Sequence, residues 1–333
     1  MQPARWGAVL YLLGGGVLLG ISTNLAKLAG QVGLSPLAFL CWSTVGAASL
    51  LLALAARRGD LPPVRARTLE YCTVSALVGV VLSNLIFFSA VAHVGAGFIA
   101  LIISLPPLLT YAGALALRME RFQALRALGV VAALAGAGVL AAHKLIAPNA
   151  NAFWTGLALV GPVLLAVGNL YRTLRWPPGV SADALAPGTL VAAAVLLLAT
   201  GALPGFSLAV PLDGWLPLAL VAVQALVFAG MFQVLFLLQK TGGPVLLSLL
   251  GAVGAVVGVP VAVFLQGESP PGGLAWGAGL IALGVALVSS GTSLPRRPQA
   301  PSPGAAAPVC APPARPPTSS APPPASLPDR PLP

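Results

Sequence analysis

Two amide–cation pairs stand out: Asn24 with Lys27, and Asn169 with Arg172. Residues three apart share a helix face, so each pair presents a hydrogen-bonding amide beside a positive charge. That is equipment for holding a polar solute. Asn84, Ser104, Tyr111 and Gln233 add further amide and hydroxyl groups, and His93 adds an imidazole able to carry a proton near neutral pH. Gln224 and Gln233 are nine residues apart and point to opposite helix faces; Gln233 is expected to face the solute. No Gly-rich phosphate loop, Ser/His/Asp set or metal-spaced His/Cys cluster occurs in the sequence. The expectation is therefore no enzyme, no cofactor and no metal. The cysteines Cys41, Cys72 and Cys310 are odd in number and lack ligand spacing.

These residues sit in long apolar runs. Of 333 residues, 58% are hydrophobic and 7% charged, and mean hydropathy is +0.95. A soluble domain carries about 25% charged residues, so most of this chain must be solvated by lipid. A transmembrane helix needs roughly 20 apolar residues. Ten runs qualify, over 7–27, 37–56, 69–92, 96–117, 124–142, 152–173, 184–202, 214–238, 244–266 and 273–291. They are continuous rather than alternating, which argues against a β-barrel. Residues 295–333 hold 15 of the 33 prolines and read as a disordered tail. A PxxP-type ligand role for it is the less favoured reading.

The net charge of +10 is read as a topology signal, not as nucleic-acid binding. With a cytoplasmic N-terminus and ten alternating spans, only Lys27 and Lys144 of the 17 Lys and Arg residues fall outside. That bias predicts both termini in the cytoplasm and a plasma (inner) membrane location.

The chain also resembles itself at an offset of 148. Trp6 meets Trp154, Gly20 meets Gly168, Phe88 meets Phe236, and Glu120 meets Glu268; Gly129 and Gly136 meet Gly277 and Gly284. The glutamate match is the costly one to obtain by chance, because Glu70 is the only other glutamate. The chain thus divides into two halves, 1–147 and 148–294, each with five spans. An odd number inverts the second half in the membrane, a transporter architecture with its site at the midplane between the repeats. The expected fold is an all-α integral membrane protein of ten helices in two inverted five-helix repeats.

The run GISTNLAKLAGQVGLSPLAFLCWS resembles the first two spans of the EamA-type drug/metabolite transporters. The block from Phe87 to Leu140 is similar to that family's spans 3 to 5, and the block from Phe236 to Leu287 repeats it with Gly267-Glu268 in the Gly-Glu position. Trp42 and Ser43 stand where a basic residue is common in span 2, and Met119 replaces the usual Gly before Glu120. The resemblance covers about residues 6–291. It implies secondary transport of a small organic metabolite such as an amino acid, by alternating access, most naturally as an exporter. The partners implied are that solute and the lipid bilayer, with a homodimer left open. The rival reading is a non-transporting membrane scaffold or receptor-like protein.

Within that frame, the solute-facing candidates are Asn24, Lys27, Asn84, Ser104, Pro106, Tyr111, Asn169, Arg172, Gln233 and Gly254, with His93 as the proton carrier. Asn24 superposes on Arg172, and Pro106 on Gly254, at the 148 offset. Gly/Pro interruptions at matching places in two repeats point to a binding region. Plainer readings compete: Lys27 and Arg172 snorkel at helix ends, Asn24 and Asn169 bond neighbouring helices, and Gly254-x-x-x-Gly258 with Gly16-x-x-x-Gly20 only packs closely. Glu120 and Glu268 fall at span ends and are expected to cap or pair. No carboxylate lies in the middle of a span, so proton or sodium coupling through an embedded acid has no residue.

Overall fold

The structure, a computed structural model, describes residues 3–119, 122–146, 151–211, 214–270 and 273–290, with backbone only at 3–9, 107, 144, 241–249 and 288–290. Glu120 and the proline-rich segment lie outside the described residues.

Every described element is a helix. Among the described residues, seven helices are long and apolar enough to cross a bilayer, and two shorter apolar helices cover Leu250–Leu265 and Leu274–Leu287. The first is α1 (Pro3–Gln31), followed by α2 (Pro36–Arg58). Ser35 starts α2 by accepting the Ala38 N–H at 3.1 Å, and Gly59, at φ 69°, ends it. An oxygen-bearing N-cap and a left-handed glycine are the expected helix boundaries.

The third crossing runs from Ala66 to Val94 as α3 (Ala66–Ala76), a π-helical stretch over Leu77–Leu82, and α4 (Ser83–Val94). The run expected over 96–117 is broken into α5 (Ala96–Ile102) and α6 (Pro106–Ala116). Pro106 and Pro107 remove two N–H donors in succession, so the helix cannot continue through them unbroken. Next come α7 (Ala124–Ile146), α8 (Ala152–Leu174) and α9 (Ala182–Gly201).

The eighth and ninth runs are not separated by a loop. One helical ladder, α10, spans Leu216–Pro260, and a second π-helical stretch covers Val261–Leu265. The ladder is not straight. A Cβ placed on Gly15 would lie 2.8 Å from Val234 and 2.7 Å from Leu250. Sixteen residues of straight helix would separate those two by about 24 Å, so α10 folds back on itself. Its first arm runs against α1, with Gln224 at Ser22, Gly230 at Leu18 and Val234 at Gly15. The second arm runs along α1, with Leu250 at Gly15, Gly254 at Gly16 and Gly258 at Gly20. The turn falls near Lys240-Thr-Gly-Gly-Pro244, a composition that breaks helices.

The last helix, α11 (Leu274–Ser290), packs on α7. Small residues let the two backbones touch: Gly136 lies on Gly277 and Gly129 on Gly284. In lipid such contact is a main source of helix association.

Candidate functional site

Several spaces open among these helices, and two of them each gather more than one of the sequence candidates. One is an inner pocket of about 80 Å³ walled by α1, the Ala66–Val94 crossing, α8 and both arms of α10. The other is a wider cleft of about 530 Å³ at the Lys27–His93 end.

The inner pocket is apolar except at one corner. There Arg172, on the last turn of α8, is 1% exposed. Its Nη2 donates to Asn169 Oδ1 at 2.5 Å, within one helix turn. Its Nε and Nη1 find no acceptor. The guanidinium lies across Gly79, where any Cβ would stand 2.7 Å from Nη1. Gly79 belongs to the π-helical stretch, and its backbone also meets Gly168 of α8, 3.1 Å from where a Cβ there would be. Gly168 lets α8 approach this backbone, and the missing side chain of Gly79 leaves the space that the guanidinium fills. Asn84 faces the same pocket from α4, its Nδ2 spent on Val80 O at 2.8 Å. Pro106 and Ile103 line the pocket at the break between α5 and α6.

In the wider cleft His93 stacks flat on Trp154, with ring centroids 4.3 Å apart and planes 9° from parallel. Lys27 lines the cleft and also binds Glu268 at 2.6 Å. Glu268 accepts the Ala96 and Gly97 N–H groups at 2.7 and 3.0 Å. Burial pushes the Glu268 carboxyl up. The Lys27 hydrogen bond, the two backbone donors and the Lys27 charge outweigh it and hold the carboxyl below its ordinary value. The pairing expected for Glu268 is thus a three-way tie between α1, α5 and the loop before α11.

A file of aromatic rings lies between the two spaces. Phe39 and Phe88 face the cleft with centroids 5.6 Å apart, Phe228 lies 6.2 Å beyond Phe88, and Phe232, 5.8 Å further, lines the inner pocket. On the other flank Tyr71 stacks on Tyr171 at 6.0 Å and meets Trp176 at 6.2 Å, which meets Phe236 at 6.1 Å.

Of the sequence candidates, Asn84, Pro106, Asn169 and Arg172 converge on the inner pocket, and Lys27 and His93 on the cleft. The others line neither. Asn24 donates to Gly258 O at 3.1 Å and pins α1 to α10. Ser104 returns its hydroxyl to Leu101 O at 2.5 Å, as a donor-rich residue does at a helix end. The Tyr111 hydroxyl accepts the Gln123 N–H at 3.1 Å, with Arg126 over its ring. Gly254 packs on Leu19 and Gly16; the glycines that meet the broken helix are Gly251, against Ile103 and Ser104, and Gly258, against Ala100. Pro106 shares the inner pocket with Gly251, one helical turn from Gly254.

Gln233 is a correction of side. It donates to Asp183, in the first turn of α9, because a charged carboxylate is the stronger acceptor available to it. Gln224, the glutamine set aside, is fully buried and donates to Ser22 at 2.6 Å. The sequence reading missed Gly79 and the aromatic file beyond Phe88. Spacing carries no signal for them, since glycine and phenylalanine are common in apolar helices.

Residues 6–142 match the EamA-like transporter family. No curated protein matches the chain. A solved structure, described only as a crystal structure of a protein, matches at 20% identity and a TM-score of 0.63, covering 86% of this chain and 98% of its own. At that identity the likeness concerns the fold alone.

Proposed function

We propose, from the premise that this chain belongs through residues 6–142 to the EamA-like transporter family of the drug/metabolite transporter superfamily, that it is a secondary transporter of a small organic metabolite. Amino acids and similar metabolites are what the family resemblance implies, with export as the direction. One observation carries the reading: a file of aromatic rings lies between an inner pocket with a buried, under-satisfied Arg172 and a wider cleft. A scaffold has no use for an uncompensated cation in its interior, which costs several kcal/mol. Arg172, Asn169 and Asn84 bind the solute in this reading, and Phe88 and Phe228 separate it from the cleft. Lys27–Glu268 holds the cleft end, and His93 is the proton carrier.

Alternating access needs two matched halves. We count ten crossings, taking α5 with α6 as one and the two arms of α10 as two, and divide them at residue 147. The α7–α11 contact supports an inverted repeat. Gly129 and Gly277 are partners at the 148 offset, as are Gly136 and Gly284, and the contacts are crosswise. Crosswise exchange is the mark of a two-fold relation. Both termini are cytoplasmic in this reading, in the plasma (inner) membrane.

The test is efflux. Cells with and without the protein are preloaded with labelled amino acids, and export is compared. Faster loss of at least one solute, abolished by Arg172→Met in a protein that still reaches the membrane, is expected. Equal loss across the panel rejects transport of that class. Accumulation driven by an imposed pH gradient in proteoliposomes, and lost in His93→Gln, is the expected result for the proton carrier; accumulation unchanged in that variant removes the role.

A further inference from the structure

We propose that the inner pocket selects solutes by charge: Arg172 receives a carboxylate, and a carboxylate lacking an ammonium group binds best. This rests on the transporter reading and narrows its substrate class.

A guanidinium carries five donors in a planar fork and a fixed positive charge. Asn169 occupies one nitrogen of Arg172, and two nitrogens remain buried without an acceptor. Leaving such groups unmade is expensive, and more so for a charged donor. Neither meets an acceptor in the structure, although the Asn84 amide lines the same pocket. The two forks of a guanidinium are Nε with Nη2 and Nη1 with Nη2; Nη2 carries two N–H groups and gives one to Asn169, so one fork stays open to take both oxygens of a carboxylate. Asn169 holds the other Nη2 N–H and fixes the plane.

The rest of the wall decides between anions. Leu19, Phe87, Leu165, Met231, Phe232 and Leu235 are apolar, so a carboxylate with a hydrocarbon body satisfies both ends of the site. A phosphate dianion would bury more charge and more acceptors than Arg172 and two amides can serve. Among the described residues, no Asp or Glu lines the pocket. An ammonium would therefore meet no counter-charge and would stand near Arg172, a like-charge contact. About 80 Å³ suits a solute of roughly five to eight non-hydrogen atoms.

The test uses one skeleton in three charge states, on the purified full chain in lipid nanodiscs. The probes are 3-methyl-2-oxobutanoate (anion), valine (zwitterion) and valinamide (cation), with inorganic phosphate as the competing anion. Equilibrium binding should rank the oxo acid first, valine second and valinamide at least tenfold weaker than the oxo acid. Phosphate should compete poorly. Arg172→Met, an apolar replacement of similar length, should keep the melting temperature and bring the oxo acid and valinamide within twofold. Arg172→Lys should keep the order with reduced affinity. Three results overturn the proposal: valinamide binding as tightly as the oxo acid, phosphate displacing the oxo acid, or the anion preference surviving Arg172→Met. Absence of binding by the oxo acid to the wild type overturns it as well. Uptake into proteoliposomes separates this from the transporter reading. Arg172-dependent binding without uptake defeats transport and leaves the charge selection. Uptake of all three probes at equal rates defeats the charge selection and leaves transport.

Discussion

At the scale of single residues, the ion pair at the cleft and the arginine in the pocket behave oppositely. Lys27 and Glu268 are 18% and 12% exposed at the side chain and fully partnered. Lys27→Met should destabilise the protein by about 1–3 kcal/mol, the range for a hydrogen bond to a charged group, as read by thermal unfolding. The pH dependence has a definite sign. Glu268 is held below its ordinary value when folded, so its stabilisation is complete above the unfolded value, near 4.3. It is lost as pH falls through the lower folded value. The melting-temperature gap between wild type and Glu268→Gln should therefore be wide at pH 7 and shrink below about pH 4; a constant gap would count against the pairing. Gly79→Ala acts on function instead. Its methyl would stand 2.7 Å from Arg172 Nη1, the far end of a flexible side chain. The guanidinium moves and the backbone stays. Transport should fall at least several-fold with a melting temperature within a few degrees of wild type; unchanged transport would remove the guanidinium from the binding site.

Helix contacts set the second scale. Two glycines of α1 make opposite predictions. On Gly20 a Cβ would sit 2.6 Å from Gly254 O, a backbone atom that cannot give without shifting the helix. Gly20→Ala should cost about 1–3 kcal/mol by overpacking. On Gly30 it would meet nothing within 4 Å, so Gly30→Ala should be neutral or gain up to about 1 kcal/mol from helix propensity. Unfolding of both variants in detergent decides it, and equal effects would refute the packing of α1 on the second arm of α10. The π-helical stretches belong to this scale also. Leu77–Leu82 presents Gly79 to Arg172 and lets Asn84 turn to the pocket. An inserted residue rotates the next turns of the helix about its axis, which is why such stretches recur at functional sites.

For the whole molecule, topology is the quantity at risk. In the proposed orientation the 59–65 loop lies with the cytoplasmic ends and the 202–215 loop opposite. Arg65 and Ser207 are both exposed, while Cys41 and Cys72 are buried. In intact cells a membrane-impermeant thiol reagent should label Ser207→Cys and spare Arg65→Cys; the reverse pattern would invert the orientation. Deleting residues 297–333 should leave folding and transport unchanged, because that segment has no apolar pattern to bury. Loss of folded protein on truncation would show otherwise.

Much of this was decided by composition and pattern. A chain with 7% charged residues and apolar runs near 20 residues long must hydrogen-bond its backbone within helices, because lipid offers no partner. The family likeness over residues 6–142, the break at Pro106 and the close packing of Gly16-x-x-x-Gly20 were all legible for the same reason: each is a local property of sequence. Which face of each helix meets which neighbour was not. Asn24 and Arg172 coincide at the 148 offset, yet one pins two helices while the other lines a pocket with two of its three nitrogens unmatched. Neither Gln233 nor Gln224 lines the inner pocket or the cleft, because Asp183 and Ser22, far apart from them in sequence, claimed them. A polar side chain in a membrane takes the nearest adequate partner. Only the packing of helices decides how near that partner is.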